Sequence, residues 1–186
     1  MARPSFPLLT ERLILRPFKD DDLDAMHAIY GRDDVNRYLD WEPRSRDAVR
    51  EWLDRIKTMT ALTPRGDALR LAALLKGTDT LIGDFSVWRT SREHQQGELG
   101  FVLHPDFHGM GFGQEAATVM LRMGFERLRF HRIAAQCDAR NASSAALMER
   151  LGMRREAHLR ESQFIKGEWV DELVYAMLAS EWDARR

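Results

Sequence analysis

The order of apolar and polar residues along the chain predicts alternating helices and strands. In several segments, apolar side chains return every three or four positions, which is the spacing of an amphipathic helix. These segments are Asp20 to Tyr30, Ser45 to Ala61, Gly113 to Leu128 and Asn141 to Leu151. Gly152 follows the last of them, at the position that favours a left-handed C-terminal cap. Between the first two helices, the segment from Val35 to Pro43 is predicted to be a loop.

Short apolar segments between these helices predict β-strands. They are Leu13 to Phe18, Leu69 to Leu75, Leu81 to Trp88, Glu98 to Leu103, Ile133 to Cys137, Met153 to Leu159 and Trp169 to Leu178. The second and third flank a glycine-bearing turn at 76–80 and therefore form a predicted hairpin. This order of elements predicts an α/β (or α+β) fold, in which about four helices flank one mixed sheet of about seven strands.

Composition narrows the classes of protein that fit. The length of 186 residues suits one domain spanning residues 1–186, and a hydrophobic content of 44% argues against disorder. A net charge of -1 lacks the basic surplus of a general nucleic-acid binder, and no apolar run has the length of a membrane span. The single cysteine, Cys137, precludes an internal disulfide, and the first residues carry no secretory-signal pattern. We therefore expect a cytoplasmic protein without nucleic-acid or membrane partners.

The segment His108-Gly109-Met110-Gly111-Phe112-Gly113-Gln114 is the strongest candidate for a binding site. Glycines at alternate positions let the backbone turn tightly and approach a ligand closely. The helix that follows begins with amide N–H groups that have no partner inside the helix, and its dipole favours an anion there. The loop and the helix start together predict a site for a phosphate-bearing small molecule.

Other interpretations of the glycines fit the sequence less well. A dinucleotide-binding loop needs Gly-x-Gly-x-x-Gly directly after a first strand, whereas this segment reads Gly-x-Gly-x-Gly and follows a later strand. A Walker loop needs a Lys and then a Ser or Thr after its last glycine, which this chain does not have. A glycine-rich turn that binds no ligand stays an alternative if the glycines are considered in isolation.

Four stretches of the chain, in this order, carry a family resemblance. They are Leu9-Thr10-Glu11-Arg12-Leu13-Ile14-Leu15-Arg16-Pro17, then Leu103-His104-Pro105 with Phe107 to Ala116, then Asn141-Ala142-Ser143-Ser144 with Leu151-Gly152-Met153 and Glu156, and finally Gly167-Glu168-Trp169-Val170-Asp171. Over nearly the whole chain they resemble the GNAT N-acetyltransferases, and more specifically the RimJ/RimL-like branch, which acetylates amino groups. The pattern departs from the family at His108, where the family has Gln or Arg.

The resemblance implies a single GNAT domain with a mostly antiparallel sheet, acetyl-CoA as acetyl donor, an amine acceptor and no metal. In this family, backbone amides of the glycine loop hold the pyrophosphate. The strand before the loop diverges from its neighbour, and its free backbone groups pair with the pantetheine arm. The cofactor-binding positions so implied are Phe101, Val102, Leu103, His108, Gly109, Met110, Gly111, Phe112, Gly113, Gln114, Asn141 and Ser144. We expect a monomer or a homodimer.

Glu98 is the candidate general base. Strand alternation places it on one face with Gly100 and Val102, opposite to Leu99 and Phe101. A carboxylate in so apolar a strand is costly unless it is paired or hydrated. Burial would raise its pKa toward a value suited to accepting a proton. The alternative is an ion pair with one of the many arginines of the chain.

Ser144 is the candidate acid for the leaving thiolate. Helical spacing puts it on the same face as Leu147, Met148 and Leu151, so it points inward. Many members of the family use a Tyr four residues before the glycine that ends this helix, and that position is Met148 here. In the RimJ/RimL-like branch a Ser three residues after the Asn is proposed to serve, and Ser144 matches it. The alternative is a helix serine bonded back to a backbone carbonyl.

The acceptor side and the helix cap have two interpretations each. The resemblance places Tyr38 and Trp41 on the wall of the acceptor site, although plain packing would also account for both and for Trp52. Asn141 fits the cap of its helix as well as a contact to the pantetheine arm.

Some RimL-like members carry a catalytic Glu in the last third of the chain, and the matching position here is the neutral Gln163.

Cysteine and histidine residues add no further site. Cys137 lies in a buried strand pattern without a partner base, and His104 and His108 lack a third ligand for zinc.

We interpret the chain as an acetyl-CoA-dependent N-acetyltransferase in which a primary amine attacks directly. One alternative is an acyl-CoA-binding sensor with little catalysis, which Met148 and Gln163 motivate. The other is a nucleotide-binding oxidoreductase that uses the same glycines.

Overall fold

A computed structural model describes residues 5–62 and 67–185; the start of the chain, considered above for a secretory signal, lies largely outside these residues. The strands are β1 (Leu8–Leu9), β2 (Leu13–Arg16), β3 (Thr60–Leu62), β4 (Asp67–Leu75), β5 (Leu81–Ser91), β6 (Gln96–Leu103), β7 (Arg132–Asp138), β8 (Arg154–Ile165) and β9 (Glu168–Leu178). The helices are α1 (Leu23–Tyr30), α2 (Asp33–Asn36), α3 (Arg46–Ile56), α4 (Phe112–Arg122), α5 (Ala142–Arg150) and α6 (Ala179–Asp183).

The strands form one mixed sheet in the order β1-β2-β4-β5-β6-β7-β9-β8, with β3 paired to β4. Of the pairs in the described residues, only β6 and β7 run parallel. A parallel pair needs a crossover connection, and α4 supplies it between β6 and β7. The predicted fold class, a mixed and mostly antiparallel sheet flanked by helices, is confirmed.

Each face of the sheet has its own hydrophobic core. The first face is covered by α4 and α5, and its buried residues include Phe85, Leu99, Ile133, Met120 and Met148. The second face is covered by α1 and α3 over the β2, β4 and β5 part of the sheet, and its buried residues include Tyr30, Leu53, Ala72 and Val102. Leu99 and Val102 thus belong to opposite cores. The alternation predicted for β6 is confirmed, because apolar side chains of this strand serve both faces.

Several element boundaries differ from the prediction. The helix predicted from Ser45 to Ala61 ends at Ile56, because residues 60–62 pair instead with β4. The loop predicted from Val35 to Pro43 is wrong at its start, where α2 forms a short helix. The helix predicted to run to Leu128 is α-helical only to Arg122, and a π-helical turn follows.

The predicted cap at Gly152 is confirmed. Gly152 has φ +74°, and its amide donates to the carbonyl of Glu149 at 2.8 Å. The amide of Met153 donates to the carbonyl of Met148 at 3.0 Å. These bonds occupy carbonyls at the end of α5 that the helix leaves free. Among the helices in the described part of the chain, none is long and apolar enough to cross a membrane.

Candidate active site

β6 and β7 pair only at their beginnings and then diverge. The parallel register joins Gln96 to Arg132, Gly97 to Ile133 and Glu98 to Ala134. β6 nevertheless continues to Leu103 and stays paired with β5 to that point. From Leu99 onward, the edge of β6 that faces β7 therefore has no partner among the described strands. We call this opening the β6–β7 gap.

The hydrogen-bond pattern of β6 identifies the backbone groups that face the gap. The amide of His104 donates to the carbonyl of Ile82 on the β5 side at 2.8 Å. Because an antiparallel ladder alternates, Val102 also faces β5, whereas residues 99, 101 and 103 direct their N–H and C=O groups into the gap. Of the three strand positions predicted to contact the cofactor, Phe101 and Leu103 therefore have gap-facing backbone groups and Val102 does not.

The glycine loop lies directly after the gap. Gly109 and Gly111 have φ +73° and +81°, a region that favours glycine, and α4 begins at Phe112. In the described structure, the amides of residues 109–114 donate to no protein carbonyl or side chain, and the first bond of the helix runs from the amide of Glu115 to the carbonyl of Gly111 at 3.0 Å. The loop thus presents a set of free donors at the N-terminus of an eleven-residue helix.

Arg12 fixes this loop to the turn before β2. Its Nε donates to Glu115 at 2.8 Å and its Nη1 to the carbonyl of Met110 at 2.9 Å. Its guanidinium carbon also lies 4.4 Å from the ring centre of Phe112. Burial would raise the pKa of Glu115, but hydrogen bonds from Thr10 and Arg12 outweigh it and lower the pKa. Arg12 lies within a stretch that carries the family resemblance, yet no pattern in the sequence pairs it with Glu115.

His108 is turned back onto β6. Its Nε2 donates to the carbonyl of Leu103 at 3.0 Å, so this side chain occupies one of the gap-facing carbonyls. His104 is also engaged locally, since its Nδ1 accepts from the amide of Asp106 at 3.2 Å. In the residues that the structure describes, no three histidine, cysteine or acidic side chains gather as a metal-binding group.

The middle of α5 packs against the first turn of α4. A Cβ added to Gly113 would lie 3.3 Å from Leu147 of α5 and 3.6 Å from Leu103 of β6, so glycine permits these three elements to meet. Asn141 caps α5, since its Oδ1 accepts from the amide of Ser144 at 3.1 Å. The capping role considered for Asn141 is confirmed.

Ser144 is half-buried in the first turn of α5. Its hydroxyl has no hydrogen-bond partner in the described residues, so the alternative of a serine bonded back to a carbonyl is wrong. The hydroxyl is not sealed from solvent either. A hydroxyl without a protein partner is free to bond to a ligand.

Glu98 lies at the last position where β6 and β7 are paired, on the second face of the sheet. Burial, with a contribution from the charge of Glu172, raises the pKa of Glu98 to about 7. No arginine or lysine in the described residues pairs with it, so the predicted ion-pair alternative is wrong. Glu98 therefore changes its protonation state near neutral pH.

Glu172 is a second carboxylate on this side that the sequence analysis missed. It lies on β9 opposite Asp138 of β7, and burial raises its pKa. Gln163, which stands where some relatives carry Glu, donates to Glu172 at 2.6 Å. The only available signal in the sequence was an acidic residue within an apolar strand.

Cys137 lies on the opposite face, packed against the first core. Burial raises the pKa of its thiol to about 11. A thiol with so high a pKa is a poor nucleophile at neutral pH. The prediction of a core residue agrees with this placement.

The second face is bounded by α2 and by the β8–β9 turn. Lys166 in that turn donates to the carbonyl of Asn36 at 2.6 Å and lies 3.9 Å from Glu42. Trp41 follows α2 and packs against the second core, with its ring 6.5 Å from that of Tyr30. Tyr38 is half-buried in the same segment, beside Arg37 at 5.3 Å. Tyr38 and Trp41 thus lie in the segment that closes one side of this face.

Comparison with known proteins identifies the family. Residues 12–154 match the acetyltransferase (GNAT) domain. This chain belongs to the GNAT acetyltransferases. The uncharacterised N-acetyltransferase YnaD of Bacillus subtilis strain 168 is 30% identical over 177 residues, which cover 95% of this chain and 99% of YnaD. The crystal structure of a GNAT-family acetyltransferase from Bacillus anthracis has a TM-score of 0.83 and 29% identity, and covers 95% of this chain and 100% of that one.

A third relative places the GNAT chain in its branch. The [ribosomal protein uS5]-alanine N-acetyltransferase of Escherichia coli K12 is 25% identical over 189 residues, which cover 98% of this chain and 96% of the relative. The resemblance to the RimJ/RimL-like branch is confirmed. The chain is an N-acetyltransferase that transfers an acetyl group to an amine. The oxidoreductase and sensor alternatives give way to this assignment.

Proposed function

We propose that this GNAT enzyme takes its acetyl group from acetyl-CoA and passes it directly to a primary amine while both substrates are bound. One observation carries the proposal: the gap-facing edge of β6 leads straight to the unpartnered amides of residues 109–114. An unpaired strand edge binds an extended amide-containing chain, and a helix start binds phosphate. Such a sequence of groups suits coenzyme A, which has a pantetheine arm and a diphosphate.

The proposed acetyl-CoA site is built mainly from backbone groups. The amides of residues 109–114 hold the diphosphate, and glycine at 109 and 111 keeps Cβ atoms away from it. The gap-facing backbone groups of Leu99 and Phe101 and the amide of Leu103 receive the pantetheine arm, while the carbonyl of Leu103 is bonded to His108. Bound acetyl-CoA supplies an activated acetyl thioester. The remaining positions implied by the resemblance, including His108, Asn141 and the side chain of Gln114, line this route in our proposal.

The two proposed catalytic groups belong to elements on opposite faces of the sheet, Glu98 to the second face and α5 to the first. Glu98 on β6 accepts a proton from the incoming ammonium, directly or through water, so that the amine is neutral when it attacks. Ser144 on α5 holds a proton by which it can stabilise the departing thiolate. Most of the rate enhancement comes from holding the two substrates in line, with proton transfer adding to it. Tyr38 and Trp41 border the acceptor in this proposal.

Replacement of Glu98 by Gln tests the proposed base. A general base acts in its ionised form, so the wild-type rate rises with pH through the pKa of about 7 given to Glu98 by burial and Glu172. We expect E98Q to lose this inflection and to retain only the titration of the amine at higher pH. The measurement is kcat/KM for the amine between pH 5 and pH 9, a range chosen to include the titration of Glu98 and the onset of the titration of the amine.

A matched control for this profile is Glu51→Gln, because Glu51 is exposed on α3. E51Q should reproduce the wild-type profile. A profile of E98Q that still bends near neutral pH would remove Glu98 from the mechanism.

An acceptor screen tests the proposed reaction itself. Purified protein is incubated with acetyl-CoA and a panel of peptides with free N-termini, amino acids, polyamines and aminoglycosides, and mass spectrometry detects each acetylated product. Release of free coenzyme A must match the product formed. Tight coenzyme A binding without acetylation of any amine would contradict the proposal.

We also propose that the enzyme acts in the cytoplasm, as a monomer or a homodimer.

A further inference from the structure

A cluster of guanidinium and indole groups lies on the second face of the sheet. Arg44 precedes α3, and its amide donates to the carbonyl of Tyr30 at 2.9 Å. Its guanidinium carbon lies 5.1 Å from the ring centres of both Trp41 and Trp52. Arg70 of β4 approaches the Trp52 ring to 4.7 Å. We call the side chains of Arg44, Arg70, Trp41 and Trp52 the donor cluster, because their polar groups are hydrogen-bond donors; the name does not refer to the acetyl donor.

The donor cluster has hydrogen-bond donors without acceptors. The Nε of Arg44 and the indole nitrogens of Trp41 and Trp52 are buried and have no partner among the described residues. All three groups can only donate, and a buried donor without an acceptor is unfavourable. The terminal nitrogens of Arg44 also lack a hydrogen-bond partner in the part of the chain described, but they are not sealed from solvent. A ligand with acceptor oxygens can therefore reach the cluster through Arg44.

The donor cluster also carries excess positive charge. Asp84 is the buried carboxylate beside it, at 1% exposure. Its oxygens accept from Arg70 Nε at 2.7 Å and from the Tyr30 hydroxyl at 2.5 Å. Asp84 thus balances Arg70, while Arg44 has no salt-bridge partner in the described residues. A bound anion would balance the charge of Arg44 and supply the missing acceptors.

The donor cluster lies within reach of the gap. Arg70 pairs with Ser86, and Ser86 pairs with Gly100, so these residues cross β4, β5 and β6 on one face. Two strand spacings separate Arg70 from the gap-lining strand, roughly 10 Å in all. Glu98 follows on the same face, two residues before Gly100. The indole of Trp88 lies over Gly100 on this face, so a small molecule that contacts the cluster has to extend past Trp88 to reach the gap.

We propose that the donor cluster binds an anionic group of the acceptor, so that the acceptor amines of this enzyme carry a carboxylate or a phosphate. The inference rests on the proposed function, because it assumes that the amine reaches the gap from the second face. Arg44 supplies the positive charge and the first contact. Trp41 and Trp52 hold the Arg44 guanidinium by cation–π contact and offer their N–H groups to the anion.

Matched amine pairs test the anionic group by binding, independently of turnover. Glycine, leucine and phenylalanine are each compared with the corresponding α-amide, which lacks the carboxylate, and phosphoethanolamine is compared with ethanolamine. Calorimetry measures the affinity of each for the enzyme saturated with coenzyme A. We expect the anionic member of at least one pair to bind roughly tenfold tighter or better. A preference within the amino-acid pairs indicates a carboxylate, and a preference within the phosphoethanolamine pair indicates a phosphate.

Arg44→Met is the decisive variant, because methionine can still fill the space between the indoles without a charge. R44M should lose the preference, and R44K should keep part of it. Arg46→Met is the matched control, since Arg46 is exposed two residues away and faces Asp24. Thermal unfolding verifies that each variant is folded. Three results would overturn the inference: equal affinity within every pair, no binding by any of the compounds, or an unchanged preference in R44M. If the preference is intact but no acetyl transfer occurs, the result contradicts the proposed function alone.

Discussion

Gly111→Val should raise the KM for acetyl-CoA by roughly tenfold to a hundredfold, which corresponds to the loss of one or two hydrogen bonds to a charged group. Gly111 has φ +81°, a conformation that β-branched residues avoid, and its Cβ would lie 3.2 Å from Arg12 Nη2. Valine therefore forces the loop out of the conformation that leaves the amides of residues 109–114 without a protein partner. Steady-state kinetics with acetyl-CoA as the varied substrate measures the effect.

Gly77→Val is the matched control for this loop. Gly77 has φ +85°, and nothing lies within 4 Å of its Cβ position, in the hairpin turn between β4 and β5. Both variants should lose stability by a similar amount from backbone strain, on the order of 1–3 kcal/mol. Only G111V should raise the KM. An unchanged KM for acetyl-CoA in G111V, or an equal rise of this KM in G77V, would show that the glycine loop is not the acetyl-CoA site.

Ser144→Ala should lower kcat by roughly tenfold to a thousandfold, with little change in the KM for acetyl-CoA. The hydroxyl has no protein partner in the described residues, so its removal breaks no internal hydrogen bond. The cap of α5 is kept, because Asn141 accepts from the backbone amide of residue 144. The loss thus falls on the proton that Ser144 offers to the thiolate. Single-turnover kinetics separates this step from product release.

Ser143→Ala is the control for the serine, because Ser143 is the exposed neighbour in the same turn. It should retain wild-type kcat. A kcat of S144A within about twofold of the wild-type value would show that no proton from this hydroxyl is needed, and binding geometry would then account for the rate.

Local spacing in the sequence was sufficient to predict the two faces of β6 and the cap of α5 at Gly152. Alternation separates Glu98 from Leu99, and helical spacing puts Ser144 on the inward face of α5, because both periods are properties of the local backbone. Gly109, Gly111 and Gly152 adopt positive φ at no steric cost because glycine has no Cβ. These are the parts of the site that a single segment determines.

The parts of the site that depend on distant segments could not be predicted from local patterns. The divergence of β6 from β7 was expected from the family resemblance alone, because neither strand's own pattern shows how far the two pair. The contact of Arg12 with Glu115 spans 103 residues of sequence, and that of Tyr30 with Asp84 spans 54. The end of α3 at Ile56 likewise depends on the pairing of residues 60–62 with β4. No periodic pattern encodes such pairs.

The position of coenzyme A on the enzyme tests the central claim most directly. Crystals of the protein soaked with coenzyme A should show the diphosphate at hydrogen-bond distance, about 3 Å, from the amides of residues 109–114. The pantetheine arm should follow the β7-facing edge of β6. Density for coenzyme A at another place, or a glycine loop that stays empty at saturating coenzyme A, would contradict the account.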